Sequence, residues 1–203
     1  MTKIKLCGLT RPCDIETANK LNPDYIGFVF AKKSRRYVTA EGAAALKELL
    51  VPQIKAVGVF VRESPETVAG LLESGILDAA QLHGGEDEEY ISCLRTLTEK
   101  PLIRAFRIGG VSDIIAAEKC SADYVLLDSG EGGTGKVFDW GLLRQMERPY
   151  FLAGGLTPEN AGIAVKKLIP YGVDVSSGIE TEGWKDKNKM AAFVAAVRKE
   201  DKV

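Results

Sequence analysis

The chain has 203 residues, 45% hydrophobic and 27% charged, enough to bury a core as one large domain or two small ones. Its 27 basic and 28 acidic residues nearly cancel, and no block of like charge marks a nucleic-acid arm or a basic membrane helix. No apolar run would span a bilayer, and the start "MTKIKLCGL" lacks a signal peptide's apolar stretch, so neither membrane nor nucleic acid is an expected partner and the cytoplasm is the expected location.

The predicted strands, in chain order, are "KIKLC", "YIGFVF", "IKAVGVF", "AAQLH", "LIRAF", "YVLLD", "YFLAG" and "VDVSS". Several are apolar on successive residues, as strands buried on both faces are. Helical patterns fill the gaps. Thr39, Ser64, Asp139 and Thr157 read as N-caps, and Pro65 and Pro158 suit the first helical position. "AAFVAAVRK" supplies an apolar helix face near the C-terminus. Eight strand–helix units without a Ser/Gly/Pro-rich linker predict an α/β fold, a single (β/α)₈ TIM barrel over residues 1–203. An open doubly wound sheet is the alternative.

A barrel gathers its chemistry at the C-terminal ends of its strands. Cys7 stands there after the first strand and Arg36 after the second. His83 follows the fourth, Asp128 the sixth, and Asp174 lies in the eighth. Gly154 and Gly155 after the seventh strand, with Ser176, Ser177 and Gly178 after the eighth, read as a phosphate site built from backbone N–H groups. Tight turns use the same residues. "GEGGTGKV" matches part of a P-loop at Gly130, Gly135 and Lys136, but Val137 stands where the magnesium-binding hydroxyl belongs. It reads instead as a glycine-rich loop that closes over a ligand.

Each candidate also has a plainer reading. Cys7 is either a small packing residue or a thiolate beside cations. Asp128 is a general acid or a turn cap, Arg36 a bidentate carboxylate clamp or a solvated charge, and Asp174 a partner for substrate hydroxyls or a loop-ordering residue. Gly8 is expected to leave room for a ligand. Cys13, Cys93 and Cys120 are expected to pack. The four cysteines show no metal-ligand spacing, and His83 is the single histidine, so no metal is expected.

The motifs "KLCGLT", "DYIGFVF", "KSRRYV", "VGVFV", "QLHG", "LLDS", "GGTGKVFDW", "AGGLTPENA" and "DVSSGIE" occur in an order that resembles the phosphoribosylanthranilate isomerases of tryptophan biosynthesis, over nearly the whole chain. The resemblance implies an aldose–ketose isomerase performing an Amadori rearrangement without a cofactor. It implies Cys7 as general base, Asp128 as general acid and Arg36 as the ligand of the anthranilate carboxylate. It further implies that His83 and Asp174 line the site and that the two glycine–serine loops take the phosphate. The partner is then a small phosphosugar, and a monomer is expected, with a dimer as the alternative. The acid must hold its proton and the base must lose it, so Asp128 is expected to titrate high and Cys7 low. Rivals are another phosphate-binding barrel enzyme, a barrel that binds a phospho-ligand without catalysis, and a thiol redox protein.

Overall fold

The computed structural model describes residues 1–128 and 140–201. The expected glycine-rich loop with Gly130, Gly135 and Lys136, and the Asp139 cap, lie outside the described residues.

Eight parallel strands close into a barrel in chain order: β1 (Lys3–Cys7), β2 (Tyr25–Val29), β3 (Lys55–Phe60), β4 (Ala79–Leu82), β5 (Leu102–Arg107), β6 (Tyr124–Asp128), β7 (Tyr150–Leu152) and β8 (Gly172–Val175). Closure comes from β1, which pairs with both β2 and β8. The outer helices are α1 (Pro12–Leu21), α2 (Ala40–Glu48), α3 (Pro65–Glu73), α4 (Glu88–Arg95), α5 (Val111–Lys119), α6 (Pro158–Leu168) and α7 (Lys187–Glu200). Ser64 caps α3 by accepting from Thr67 N–H, and Thr39 caps α2 through Gly42 N–H. At α6 it is Asn160 that reaches back to accept from Thr157 N–H, at 2.8 Å.

Two elements differ from expectation. Between β6 and β7 a 3₁₀ helix, Trp140–Gln145, stands where an α-helix was expected. It is six residues long and carries Gly141 at its second position, a poor start for an α-helix. A small hairpin, β9 (Glu180–Thr181) with β10 (Trp184–Lys185), follows β8 and was not foreseen. Cys120 is buried as expected, whereas Cys13 and Cys93 are exposed rather than packed.

The near-continuous apolar runs have a simple cause. Strand side chains alternate between faces. Outward residues such as Leu6, Phe28, Phe60, Leu82, Leu127 and Val173 pack beneath the helices. Inward residues Val57, Ala79, Ile103, Leu126 and Phe151 fill the barrel, and Tyr25 and Tyr124 pack edge-on against Phe151. Closer to the mouth the interior turns polar, with Lys5, Gln81 and Asp174 all buried. Among the described residues no helix is long and apolar enough to cross a membrane.

Candidate active site

A cavity of about 700 Å³ opens at the C-terminal ends of the strands. Its walls include Cys7, Arg36, His83, Asp128, Gly154, Gly155, Asp174, Ser176 and Ser177. Nine of the ten expected site residues therefore meet in one space. The tenth, Gly178, lies behind it. A Cβ at Gly178 would sit 1.9 Å from the Leu156 carbonyl oxygen, so this glycine lets the loop after β8 press against the loop after β7.

The alternation of β1 that buries Leu6 outward turns both Lys5 and Cys7 inward. Lys5 is wholly buried, and its Nζ donates to Asp174 Oδ1 at 2.8 Å. The two are register partners across the β1–β8 seam. Burial works against the Lys5 charge, but Asp174, then the Cys7 sulfur, outweigh it and hold the ammonium above the ordinary lysine value. Cys7 is 6% exposed. Burial pushes its thiol above the ordinary value, and the pull of Lys5 and Lys185 does not offset this while the Asp174 carboxylate adds to it. The expected lowering of the Cys7 thiol is thus not found. Desolvation, invisible in a motif, outweighs the neighbouring cations.

Two glycines make room for these side chains. Gly27 on β2 faces Cys7 in register, and a Cβ there would lie 2.6 Å from Cys7 Sγ. Gly8 takes φ +79, and a Cβ there would lie 2.5 Å from Arg36 Cδ. The space that was expected beside Gly8 for a ligand is filled by the Arg36 stem.

On β4 the same two-residue step places Gln81 below His83. Gln81 Nε2 lies 2.8 Å from His83 Nδ1. With the amide in this orientation Gln81 Nε2 donates to Nδ1, which assigns the ring proton to Nε2. That nitrogen faces Asp128 Oδ2 at 3.7 Å. Gln81 Oε1 is buried without a hydrogen-bond partner among the described residues. Such an acceptor costs about 1–3 kcal/mol, which a ligand hydroxyl would recover.

The loops after β7 and β8 supply polar backbone. Gly154 and Gly155 take φ of 82 and 63, a region open to glycine at little cost. Asn160 Nδ2 donates to the Gly155 carbonyl at 2.9 Å and so anchors this loop to α6. Ser176 Oγ donates to the Cys7 carbonyl at 3.1 Å, tying the β8 loop to β1.

Sequence reasoning missed Lys5, Gln81, Gly27, Glu180 and Lys185. Lys5 and Gln81 were findable, because each lies two residues before an expected site residue and so shares its face. Glu180, after β8, pairs with Arg36 and Lys185. Its pKa is lowered from 4.5 to about 2, since the hydrogen bonds and charges of Arg36 and Lys185 overcome its burial. Such a depressed carboxylate stabilises the fold fully above its ordinary value and loses that contribution as pH falls through the folded value. Chemical denaturation of wild type should therefore show stability falling as pH drops from 4.5 towards 2, with a smaller fall in Glu180→Gln. Equal falls in both proteins would show that this group does not carry the effect.

Comparison with known proteins bears on the family and the fold. The family model described as N-(5'phosphoribosyl)anthranilate (PRA) isomerase matches residues 4–196. The N-(5'-phosphoribosyl)anthranilate isomerase of Endomicrobium trichonymphae is 45% identical over 202 residues, covering 98% of this chain and 99% of its own. The crystal structure of the phosphoribosyl anthranilate isomerase from Thermotoga maritima superposes with TM-score 0.90 at 35% identity, over 98% of this chain and all of the other. A further phosphoribosyl anthranilate isomerase, solved in complex with reduced 1-(o-carboxyphenylamino)-1-deoxyribulose 5-phosphate, gives TM-score 0.86 at 33% identity, over 98% of this chain and 100% of the other. This chain belongs to the N-(5'-phosphoribosyl)anthranilate isomerase family.

Proposed function

We propose that the barrel, as one catalytic domain over residues 1–203, converts N-(5-phosphoribosyl)anthranilate into 1-(2-carboxyphenylamino)-1-deoxyribulose 5-phosphate in tryptophan biosynthesis. The observation that carries this is the meeting of Cys7, Asp128, Arg36 and the two glycine–serine loops around one cavity. Asp128 gives a proton to the ring oxygen as the C1–O bond breaks, and the nitrogen lone pair forms a Schiff base at C1. Cys7 then removes the proton on C2, and the electron pair moves to give an enolamine. Loss of the enol proton and protonation of C1 complete the ketone. C2 is oxidised and C1 reduced within one molecule, so this is an internal aldose-to-ketose redox. The substrate supplies its own imine, and no outside reductant enters the balance.

Binding holds the reacting carbons against these groups. Arg36 takes the anthranilate carboxylate, and backbone N–H groups near Gly154, Gly155, Ser176 and Ser177 take the phosphate. Holding both groups turns orientation into rate. His83 and Asp174 line the sugar, and Gln81 Oε1 is an acceptor for a sugar hydroxyl. Asp174 divides its oxygens between Lys5 and the substrate hydroxyls. That strengthens the hold of Lys5 on a Cys7 thiolate and offsets the burial that keeps the free thiol protonated. Four unpaired thiols suit a reducing compartment, the cytoplasm.

The direct test is turnover of freshly made phosphoribosylanthranilate by the purified protein. Activity is expected, and its absence at high enzyme concentration would overturn the proposal. The role of Lys5 is read separately, by alkylation of Cys7 in the unliganded protein followed by peptide mass spectrometry. Lys5→Met should slow alkylation near pH 8 by about tenfold, one unit of thiol pKa, and Asp174→Asn should speed it. Unchanged rates in both variants would remove Lys5 from the mechanism.

A further inference from the structure

The hairpin β9–β10 turns through Glu182 and Gly183, at φ 51 and 86, the geometry of a two-residue primed turn. Its register sets Glu180 opposite Lys185. Both side chains are nearly buried, Lys185 pairing with Glu180 and Glu180 in turn with Arg36. Glu180 Oε1 accepts from Arg36 Nε at 2.6 Å and from Lys185 Nζ at 2.7 Å. Oε2 accepts from Arg36 Nη2 at 2.8 Å and from Arg35 Nη2 at 2.5 Å. Lys185 Nζ also donates to the Ser176 carbonyl at 2.8 Å, which fixes the hairpin to the loop after β8.

From this geometry we infer that Glu180 is a positioning residue that presents Arg36 to the substrate carboxylate and so sets selectivity for a carboxylated aryl group. The inference rests on the reading of Arg36 given above. A guanidinium offers two bidentate edges. Glu180 takes the side edge, Nε with Nη2. The end edge, Nη1 with the second Nη2 hydrogen, has no partner among the described residues, and Arg36 lines the cavity. Gly8 leaves room for the other end of the side chain, because the Arg36 stem lies where its Cβ would be. The guanidinium head is held by Glu180. Charge permits a second carboxylate as well. Arg35, Arg36 and Lys185 surround the one carboxylate of Glu180, so the cluster remains cationic.

The opposite role is physically distinct. Glu180 would then be a competitor, released from Arg36 when substrate binds. Removing a competitor tightens binding of a carboxylated ligand, whereas removing a positioning residue weakens it.

The experiment uses two inert amino-alditol 5-phosphates that differ only in the aryl group, 2-carboxyphenyl against phenyl. Calorimetry measures both on the full chain. Wild type should prefer the carboxylated probe, and Arg36→Met should abolish the preference. Glu180→Gln should reduce it by about tenfold, the order of a lost charge-assisted bidentate contact, with phenyl-probe affinity within about twofold of wild type. A selective loss in both variants supports the inference. If Arg36→Met is selective but Glu180→Gln weakens both probes alike, changes neither or tightens the carboxylated one, the inference falls and the reading of Arg36 stands. If Arg36→Met shows no selective loss, the reading of Arg36 falls and takes this inference with it. Should Glu180→Gln not fold, Glu180→Asp keeps the charge but withdraws it by one methylene. It should also lose selectivity, and a wild-type preference would overturn the inference.

Discussion

Cys7→Ser is expected to lower kcat by about 10²–10⁴-fold, the range for loss of a positioned general base, and to leave the affinity for a reduced product analogue within about threefold of wild type. The substitution is nearly isosteric, so the pocket that Gly27 opens for the side chain stays filled. What changes is the conjugate acid. A serine hydroxyl gives up its proton far less readily than a thiol, and the cations that favour a thiolate at this position cannot make up the gap. Steady-state turnover with calorimetric binding tests this. A kcat within about fivefold of wild type would exclude Cys7 as the base, whereas equal losses in binding and turnover would mark it as a packing residue.

Asp128→Asn is expected to cost a similar factor, about 10²–10⁴ in kcat, because an amide has no proton to give at neutral pH. Shape and most hydrogen bonds survive. The strand end is held by backbone, with Ile108 N–H donating to the Asp128 carbonyl at 2.9 Å. KM should therefore stay within about threefold while kcat falls, the signature of an interaction made chiefly in the transition state. His83→Asn is the control. His83 Nε2 stands 3.7 Å from Asp128 Oδ2, beyond hydrogen-bond distance, so its loss should cost less than that of Asp128 itself. If His83→Asn costs as much as or more than Asp128→Asn, the proton donor is the histidine and the assignment of Asp128 is wrong.

The barrel itself was legible in the sequence. The predicted runs "KIKLC" and "YVLLD" coincide with β1 and β6, and the others differ from their strands only by a residue or two at the ends. Such runs are local, and their lengths and spacing suffice to order them. The 3₁₀ helix at Trp140–Gln145 was missed because an apolar pattern alone does not separate a short tight helix from an α-helix. The hairpin at Glu180–Lys185 was missed because each of its strands has two residues, too few to show alternation, although the glycine of its turn was visible.

Which residues stand at the barrel mouth follows from strand order and a two-residue period, both properties of the chain alone. Sequence reasoning therefore reached Cys7, Arg36, His83, Asp128, Asp174 and both glycine–serine loops. How those groups are charged and held depends on contacts between distant segments. Lys5 meets Asp174, 169 residues away in sequence, across the β1–β8 seam, and Arg36 meets Glu180, 144 residues away. The Cys7 thiol rests protonated because burial outweighs two nearby cations, and Gly178 is a glycine because another loop's carbonyl occupies the space of its Cβ. Each of these depends on desolvation and on distances between remote segments, and neither quantity exists before the barrel closes.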